Sequence, residues 1–269
     1  FRRFFFYDDN FTADRAWARA LLERLRSLRV RFNAQARADF AWMDARRTKL
    51  DRALLRLIRQ AGGDVFYIGY EAIDEPTANE WRKGYRGQGT LRRRLLQDTQ
   101  LLHESGLWIH GMFVLGPQHT GRTAEQIVDF ARTAGIETLQ ISSLTPLPGT
   151  PLFDQMRPHL ILTHFPQDWD FYDGTHCVYN HSRMGIVGMQ QVLLEAHRRF
   201  YRWGGWSIRR LRAMLRDPMP PVKKLAWLWA SARTARTVLR EWREETRNFL
   251  ELIRARNPQW LWQGSVAGR

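Results

Sequence analysis

The sequence predicts an α/β fold, a partial parallel β/α barrel followed by a helical C-terminal extension. Two observations predict it. Through the first two thirds of the 269 residues, short apolar runs typical of strands alternate with longer stretches whose apolar residues recur at helical spacing. From Phe165 onward the pattern changes to an irregular aromatic segment and then to helices. Strands that alternate with helices of this length form parallel βαβ units.

Five strands are predicted, and most are followed by a helical stretch. The strands cover residues 4–7, 30–36, 65–70, 108–115 and 138–144. Thr12 is expected to cap the first helix, and Leu21, Leu22 and Leu25 form its buried stripe. The other helices cover residues 50–60, 91–105 and 123–133, and glycines follow each of them.

The chain is expected to contain three segments. Residues 1–160 form the core of five β/α units, residues 161–217 a small extension, and residues 218–269 a long amphipathic helix and a tail. Two short helices are expected near 188–201 and 207–216. The long helix, from about 222 to 256, carries one apolar seam at alternating spacings of three and four residues. Its tryptophans and flanking arginines suit a membrane interface, and intramolecular packing or a coiled coil is the alternative.

Composition limits the classes of function. Cys177 is the only cysteine, so no disulfide can form within the chain, and a cytoplasmic location is expected. No apolar run is long enough to span a membrane. The net charge of +15 indicates nucleic acid, an anionic membrane surface or an acidic substrate as a partner, or else only a solvated arginine-rich surface. The chain begins without Met inside a predicted strand, and we therefore expect a fragment.

Polar residues follow four of the predicted strands. They are Asp8, Asp9 and Asn10 after the first, Arg37 after the second, Glu71 after the third, and residues 145–150 after the fifth. The carboxyl ends of parallel strands carry the chemistry in such sheets, so these residues predict a binding site. Structural alternatives stay open: an Asx turn at Asn10, an ion pair of Arg37 with Asp39, and pairing of Glu71 with Arg or Lys.

Five segments carry a resemblance to one family. They are FFFYDDNFT, RFNAQARADFAW, VFYIGYEAID, HGMFVLG and LTPLPGTPLF, in this order along the chain. The sequence resembles radical S-adenosylmethionine (SAM) enzymes of the cobalamin-binding type, and is similar to anaerobic magnesium-protoporphyrin ester cyclase and hopanoid-biosynthesis radical SAM proteins. DWDFYDGTHCVY and RRFY resemble the C-terminal extension of that group.

The resemblance implies SAM, a 4Fe–4S cluster and, in many members, cobalamin as cofactors. The family holds its cluster on three cysteines after the first barrel strand, and one cysteine cannot replace them. We therefore expect a radical SAM core that lacks its first unit, with no metal ligand and no assignable catalytic residue, inactive by itself. The implied SAM-binding residues are Asp8, Asp9, Asn10, Arg37, Glu71, Gly111, Gly116, Thr145, Pro146 and Leu147.

The resemblance also implies a reaction class. We expect radical methylation, cyclisation or C–C bond formation on a small or lipid-like hydrophobic substrate. The expected electron donor is a protein such as flavodoxin or ferredoxin, and peripheral membrane contact is a further hypothesis. One alternative is a radical SAM methylthiotransferase acting on tRNA, indicated by the net charge. No recognisable RNA-binding module supports it, so nucleic acid is not the expected partner. The other alternative is an inactive interaction module.

Overall fold

The computed structural model describes residues 2–202 and 220–256 of the chain. Five parallel strands form one sheet in the order β1-β2-β3-β4-β5, each beside the strand that precedes it in sequence. A β/α barrel wall is built in this way, and the predicted α/β partial barrel is confirmed. The strands are β1 (Arg3–Phe6), β2 (Arg31–Arg37), β3 (Gly63–Glu71), β4 (Trp108–Leu115) and β5 (Thr138–Ser143).

Helices separate the strands at the predicted places. They are α1 (Arg15–Arg26), α2 (Arg52–Gln60), α3 (Glu75–Glu80), α4 (Leu91–Glu104), α5 (Gly121–Ala134), α6 (Pro151–Met156), α7 (Gly185–Phe200) and α8 (Pro221–Arg256). Short 3-10 turns cover Arg157–His159 and Trp169–Phe171. The short helices α3 and α6 were not predicted. The helix expected at 207–216 lies outside the described residues.

The start of α1 differs from the prediction. Asp14 caps the helix, because its Oδ1 accepts the backbone N–H groups of Ala16 at 2.9 Å and Trp17 at 3.0 Å. The Thr12 hydroxyl instead donates to Asn10 Oδ1 at 3.0 Å. Thr12 is therefore engaged in a local turn, and the prediction that it caps α1 is wrong.

Burial alternates along the central strands. Phe32, Ala34 and Ala36 on β2 are buried, as are Phe66 and Ile68 on β3. The residues between them are half-buried. One face of the sheet therefore packs into the core. The other face is half-buried, and it includes the predicted site residues Arg37 and Glu71 at the ends of β2 and β3.

The described residues form two compact units. The first comprises residues 2–113 and 129–140; the second comprises 114–128, 141–202 and 220–256. In the second unit α7 packs against α8, and the buried residues of α8 include Ala232, Thr246, Phe249, Leu250 and Ile253. The segment boundaries expected near 160 and 217 stay predictions. Among the described helices, none is both long enough and apolar enough to cross a bilayer.

Candidate binding site at the ends of β2 and β3

A cluster of opposite charges stands at the carboxyl ends of β2 and β3 in the first unit. The Glu71 carboxylate, at the end of β3, is paired with the Lys83 ammonium. Arg37, at the end of β2, donates from Nη2 to the Lys83 carbonyl oxygen at 3.0 Å and from Nε to Asp39 Oδ1 at 3.0 Å. The structure therefore brings the predicted residues Arg37 and Glu71 together, through the loop that carries Lys83. Both structural alternatives, the Asp39 pair and the Lys partner, are also present.

Glu71 has an unusual backbone conformation. Its φ is +59°, in the left-handed region that non-glycine residues rarely adopt. Such a residue costs on the order of 1–3 kcal/mol and persists where the surrounding structure fixes it, often at functional sites. The pairing of β3 with β4 is irregular between Gly69 and Glu71. The regular pairing of the two strands is therefore interrupted where β3 ends at Glu71.

Gly69 leaves room for that side chain. A Cβ atom at Gly69 would lie 3.0 Å from Glu71 Oε1, closer than nearly all real contacts of this kind. Any larger residue would therefore push the carboxylate aside. The sequence carries this signal as a glycine two residues before a carboxylate at a strand end.

Tyr85 braces the cluster from the same loop. Its hydroxyl donates to the Gly69 carbonyl oxygen at 3.0 Å, and the centre of its ring lies 5.1 Å from the Arg37 guanidinium carbon. Burial, followed by the nearby Asp39 carboxylate, raises the pKa of Tyr85. The phenol is therefore a neutral donor that connects the loop to β3, and its ring makes a cation–π contact with the Arg37 guanidinium.

The cationic groups have shifted pKa values. The hydrogen bond to Asp39 raises the pKa of Arg37, against the effect of burial. Burial, and then the Arg37 charge, lowers the pKa of Lys83. A partly buried ammonium beside a guanidinium needs an anion to stay charged, and the Glu71 carboxylate supplies it.

Three half-buried side chains lie side by side on β2, β3 and β4, closer to the middle of the strands than this cluster. Gln35, Tyr67 and His110 are paired across β2, β3 and β4, and the rings of Tyr67 and His110 are 4.4 Å apart. Burial lowers the pKa of His110 to about 4, and its Nδ1 lies 2.8 Å from the Thr138 hydroxyl. His110 is therefore a neutral, hydrogen-bonded packing residue.

Of the three predicted site residues after β1, Asn10 is arranged differently from Asp8 and Asp9. Asp8 and Asp9 are exposed, and within the described part of the chain neither carboxylate has a hydrogen bond or an ion pair. Asn10 Oδ1 accepts from the Thr12 N–H at 3.3 Å and from its hydroxyl at 3.0 Å. Asn10 thus forms the Asx turn that was its structural alternative, whereas Asp8 and Asp9 present open carboxylates at the end of β1.

The two predicted glycines serve local packing and hydrogen bonding. A Cβ atom at Gly111 would lie 3.0 Å from the side chains of both Ile136 and Phe113. In the second unit, the Gly116 N–H donates to His119 Nδ1 at 2.8 Å and the Gly116 oxygen lies 3.2 Å from His181 Nε2. Their predicted role towards SAM stays a prediction.

The remaining predicted residues belong to the loop after β5 in the second unit. The Thr145 hydroxyl donates to the Ser143 carbonyl oxygen at 3.1 Å, and Leu147 is exposed. Pro146 is buried between them. Thr150 ends the loop by capping α6. The loop is therefore fixed at both ends, with an apolar side chain open in its middle.

Sequence reasoning missed Lys83 and Tyr85. They lie in the segment WRKGYRG between α3 and α4, where no strand or periodic helix was predicted. A signal was available in the combination of a lysine, an aromatic residue and two glycines shortly after a strand-ending glutamate. Polar loop residues of this kind are positioned by a rigid scaffold, so the strand periodicity alone does not identify them.

Three curated proteins similar to this chain are methyltransferases or methylases. Bacteriochlorophyllide d C-12(1)-methyltransferase of Chlorobaculum tepidum is 26% identical over 232 residues, which are 84% of this chain and 44% of that protein. Bacteriochlorophyllide d C-8(2)-methyltransferase of the same organism is 24% identical over 57% of this chain and 33% of its own length. Hopanoid C-2 methylase of Rhodopseudomonas palustris is 28% identical over 60% of this chain and 29% of its own length. These similarities confirm the resemblance to cobalamin-binding-type radical SAM enzymes.

The chain spans less than half the length of these curated relatives. No family model matches the sequence. Among solved structures, the radical SAM methyltransferase TsrM of Kitasatospora setae, with cobalamin and a 4Fe–4S cluster bound, is 18% identical, with a TM-score of 0.47 over 58% of this chain and 28% of its own. The cobalamin-dependent SAM radical enzyme OxsB is 13% identical, with a TM-score of 0.49 over 93% of this chain and 42% of its own.

Proposed function

We propose that this chain is the SAM-binding part of a cobalamin-dependent radical SAM methyltransferase that acts on a hydrophobic multi-ring substrate. The reaction and the substrate class are supported by the names of the relatives, which methylate bacteriochlorophyllides or hopanoids. The location of the SAM site is supported by the charged cluster at the ends of β2 and β3. A flavodoxin or ferredoxin as the electron donor belongs to the same proposal.

The observation that carries the SAM site is the grouping of Glu71, Lys83 and Arg37. The methionine end of SAM is a zwitterion, with an ammonium and a carboxylate on one carbon. Glu71 offers a carboxylate to the ammonium, while Lys83 and Arg37 offer N–H donors to the carboxylate. Binding would exchange the internal Glu71–Lys83 pair for two pairs with the ligand, so that no charge is left without a partner.

Residues around the cluster would orient the ligand. Tyr85 and Asp39 hold Arg37 in place, and Gly69 leaves the space in which the Glu71 carboxylate stands. The exposed Asp8 and Asp9 add negative charge at the end of β1, which suits the ammonium and the sulfonium of SAM. This chain thus supplies binding and orientation, and these determine which atoms of SAM are presented to its partners.

The residues of this chain do not fit an iron–sulfur cluster. Cys177 is the one cysteine, it is fully buried, and burial raises its pKa to about 12. A cluster needs several thiolates. No step of the proposed function is therefore assigned to cluster ligands in this chain, and no described residue is assigned to cobalamin.

The alternatives stay predictions. A tRNA substrate is favoured by the net charge of +15 and would give RNA binding that weakens steeply as the salt concentration rises. An inactive interaction module would bind neither SAM nor RNA.

Calorimetric titration of the chain with SAM tests the proposed site. We expect binding that Glu71→Gln weakens by at least about tenfold, because a charge-assisted hydrogen bond contributes roughly 1.5–3 kcal/mol. Glu23→Gln is the matched control, since Glu23 pairs with Arg26 on the exposed face of α1. Equal affinities of the Glu71→Gln variant and the wild type would refute the proposed role of Glu71.

A further inference from the structure

The first half of α8 exposes a row of large apolar side chains. Val222, Leu225 and Trp229 are 81%, 70% and 65% exposed. Spacings of three and four residues place them on one face of the helix. Exposed apolar residues that form a row, rather than standing singly, mark an interaction surface.

The same face continues as a row of arginines. Arg233, Arg236 and Arg240 follow Trp229 at spacings of four, three and four, and all three are exposed. The Arg233 guanidinium carbon lies 5.6 Å from the centre of the Trp229 ring. We name the six residues from Val222 to Arg240 on this face the α8 row.

The α8 row lies apart from the face that α8 uses for packing. Further along the helix Thr246, Phe249 and Ile253 are buried, and Phe249 packs against Phe171 and His176. The Arg256 side chain donates to the buried Asp168 carboxylate at 2.5 Å. The second half of α8 is therefore anchored within its unit, whereas the residues of the α8 row are exposed.

We propose that the α8 row binds the surface of a bilayer that contains anionic lipids. Indole rings settle at the depth of lipid headgroups, and arginines in the same plane pair with lipid phosphates. The apolar end of the row would enter the boundary between headgroups and acyl chains, with the helix axis parallel to the surface. Lys and Arg near an anionic leaflet each add to the attraction.

Charge complementarity selects this partner. The sequence from 221 to 240, PVKKLAWLWASARTARTVLR, contains no Asp or Glu, and the first carboxylate of α8 is Glu241. A second copy of the chain would bring an equally basic face against this one, which like-charge repulsion disfavours. An anionic lipid surface meets both the basic and the apolar parts of the row. This inference stands independently of the SAM site.

Flotation of the chain with lipid vesicles tests the proposal. We expect it to float with vesicles of phosphatidylcholine and phosphatidylglycerol but not with phosphatidylcholine alone, and to be released as salt is raised. Leu225→Ser with Trp229→Ser should lower the partition coefficient by at least about tenfold. Arg233→Gln with Arg240→Gln should lower it by about fivefold per arginine.

Leu28→Ser is the matched control for the apolar variant. Leu28 is 62% exposed between α1 and β2, and its loss should leave vesicle binding unchanged. Because every substituted residue is exposed, all variants should keep the melting temperature of the wild type, which separates lost binding from misfolding.

Three results would overturn the proposal. They are absence of flotation with either vesicle, equal flotation with both, and anionic binding that the α8 substitutions leave unchanged. A dimer in light scattering that Leu225→Ser with Trp229→Ser dissociates would assign the α8 row to a second copy instead.

Discussion

The Glu71 carboxylate is paired with the Lys83 ammonium at the end of β3, although Glu71 stands in a left-handed backbone conformation. The pair joins a strand end to the loop between α3 and α4. Arg37 contacts the same loop through the Lys83 carbonyl oxygen. Two residues on neighbouring strands are thus connected through a third that lies outside any helix or strand. This connection, rather than direct contact, forms the candidate site.

Lys83 should hold the ligand carboxylate. We expect Lys83→Met to weaken SAM binding by about tenfold but to leave 5′-methylthioadenosine binding unchanged, because that compound lacks the amino-acid group. The comparison, made by calorimetry, separates a contact to the zwitterion from a contact to the ribose. If the binding of both ligands weakens equally, Lys83 contacts the nucleoside part of SAM or stabilises the fold.

The same residue should make SAM binding sensitive to alkaline pH. The lowered pKa of Lys83 means that it loses its proton at a lower pH than an ordinary lysine. Wild-type affinity should therefore fall as the pH rises through that pKa, whereas Lys83→Arg should keep its affinity over the same range, because arginine stays charged. The ligand's own ammonium titrates equally in both experiments, so only the difference between the two proteins counts. Parallel curves would contradict the role of Lys83.

Glu71 should lower the free energy of unfolding of the protein, although it is needed for SAM binding. Glu71→Asn removes a half-exposed ion pair worth about 0–1 kcal/mol but places at φ +59° a residue that tolerates this conformation. Relief of strain on the order of 1–3 kcal/mol should then raise the free energy of unfolding by about 1 kcal/mol, while SAM binding is lost. Urea unfolding measures the first effect and calorimetry the second. Destabilisation by Glu71→Asn would favour the structural alternative, in which Glu71 serves only to hold the loop.

The fold could be predicted from sequence further than the site could. Strand β4 was predicted with its observed bounds, because its mostly apolar run stands between Gly106 and Gly116. Thr12 was predicted to cap α1, but Asp14 caps it. The Thr12 hydroxyl bonds to Asn10 instead, and the sequence alone does not show which of these local hydrogen bonds forms.

The site was predicted only in part, for a related reason. Arg37 and Glu71 were found because they directly follow apolar runs that are typical of strands, and such runs are visible in the sequence. Lys83 and Tyr85 approach them through a loop whose path depends on the left-handed turn at Glu71 and on a hydrogen bond to Gly69. Neither the left-handed backbone nor the hydrogen bond leaves a repeating pattern in the sequence. Loop residues of this kind become visible only when the scaffold places them.

Asp98 should give the first unit a pH-dependent stability on the acid side. Its carboxylate is fully buried, accepts from Trp42 Nε1 at 2.8 Å and is bound by both Nη atoms of Arg47. Burial outweighs these partners and raises the pKa of Asp98 to about 6. Because the folded pKa exceeds the unfolded value, the folded state binds more protons between about pH 4 and pH 6.

The free energy of unfolding should therefore fall as the pH rises through that window, by at most about 1.4 kcal/mol for each step of one in pH. Asp98→Asn cannot titrate and supplies the reference. Urea unfolding of both proteins from pH 4 to pH 7 should show the wild type losing stability relative to the variant. The reverse slope would mean that the Arg47 pair dominates and that the carboxylate stays ionised in the folded state.

Gly69→Ala should weaken SAM binding without unfolding the protein. The new Cβ atom would lie 3.0 Å from Glu71 Oε1 and would displace the carboxylate from the position in which it meets Lys83. Gly69 does not need a left-handed backbone, so the alanine adds no backbone strain there. We expect SAM affinity to fall by about tenfold while the melting temperature changes by no more than a few degrees.

Gly121→Ala is the control for this substitution, because a Cβ atom there would meet only Val192 at an ordinary 3.6 Å. It should leave SAM affinity unchanged. If Gly69→Ala binds SAM as the wild type does, the carboxylate can move without loss of the ligand, and the placement of Glu71 by Gly69 has no part in recognition. If binding falls only together with the melting temperature, Gly69 acts through packing. A loss of affinity at constant melting temperature is the result that identifies the space beside Gly69 as part of the SAM site.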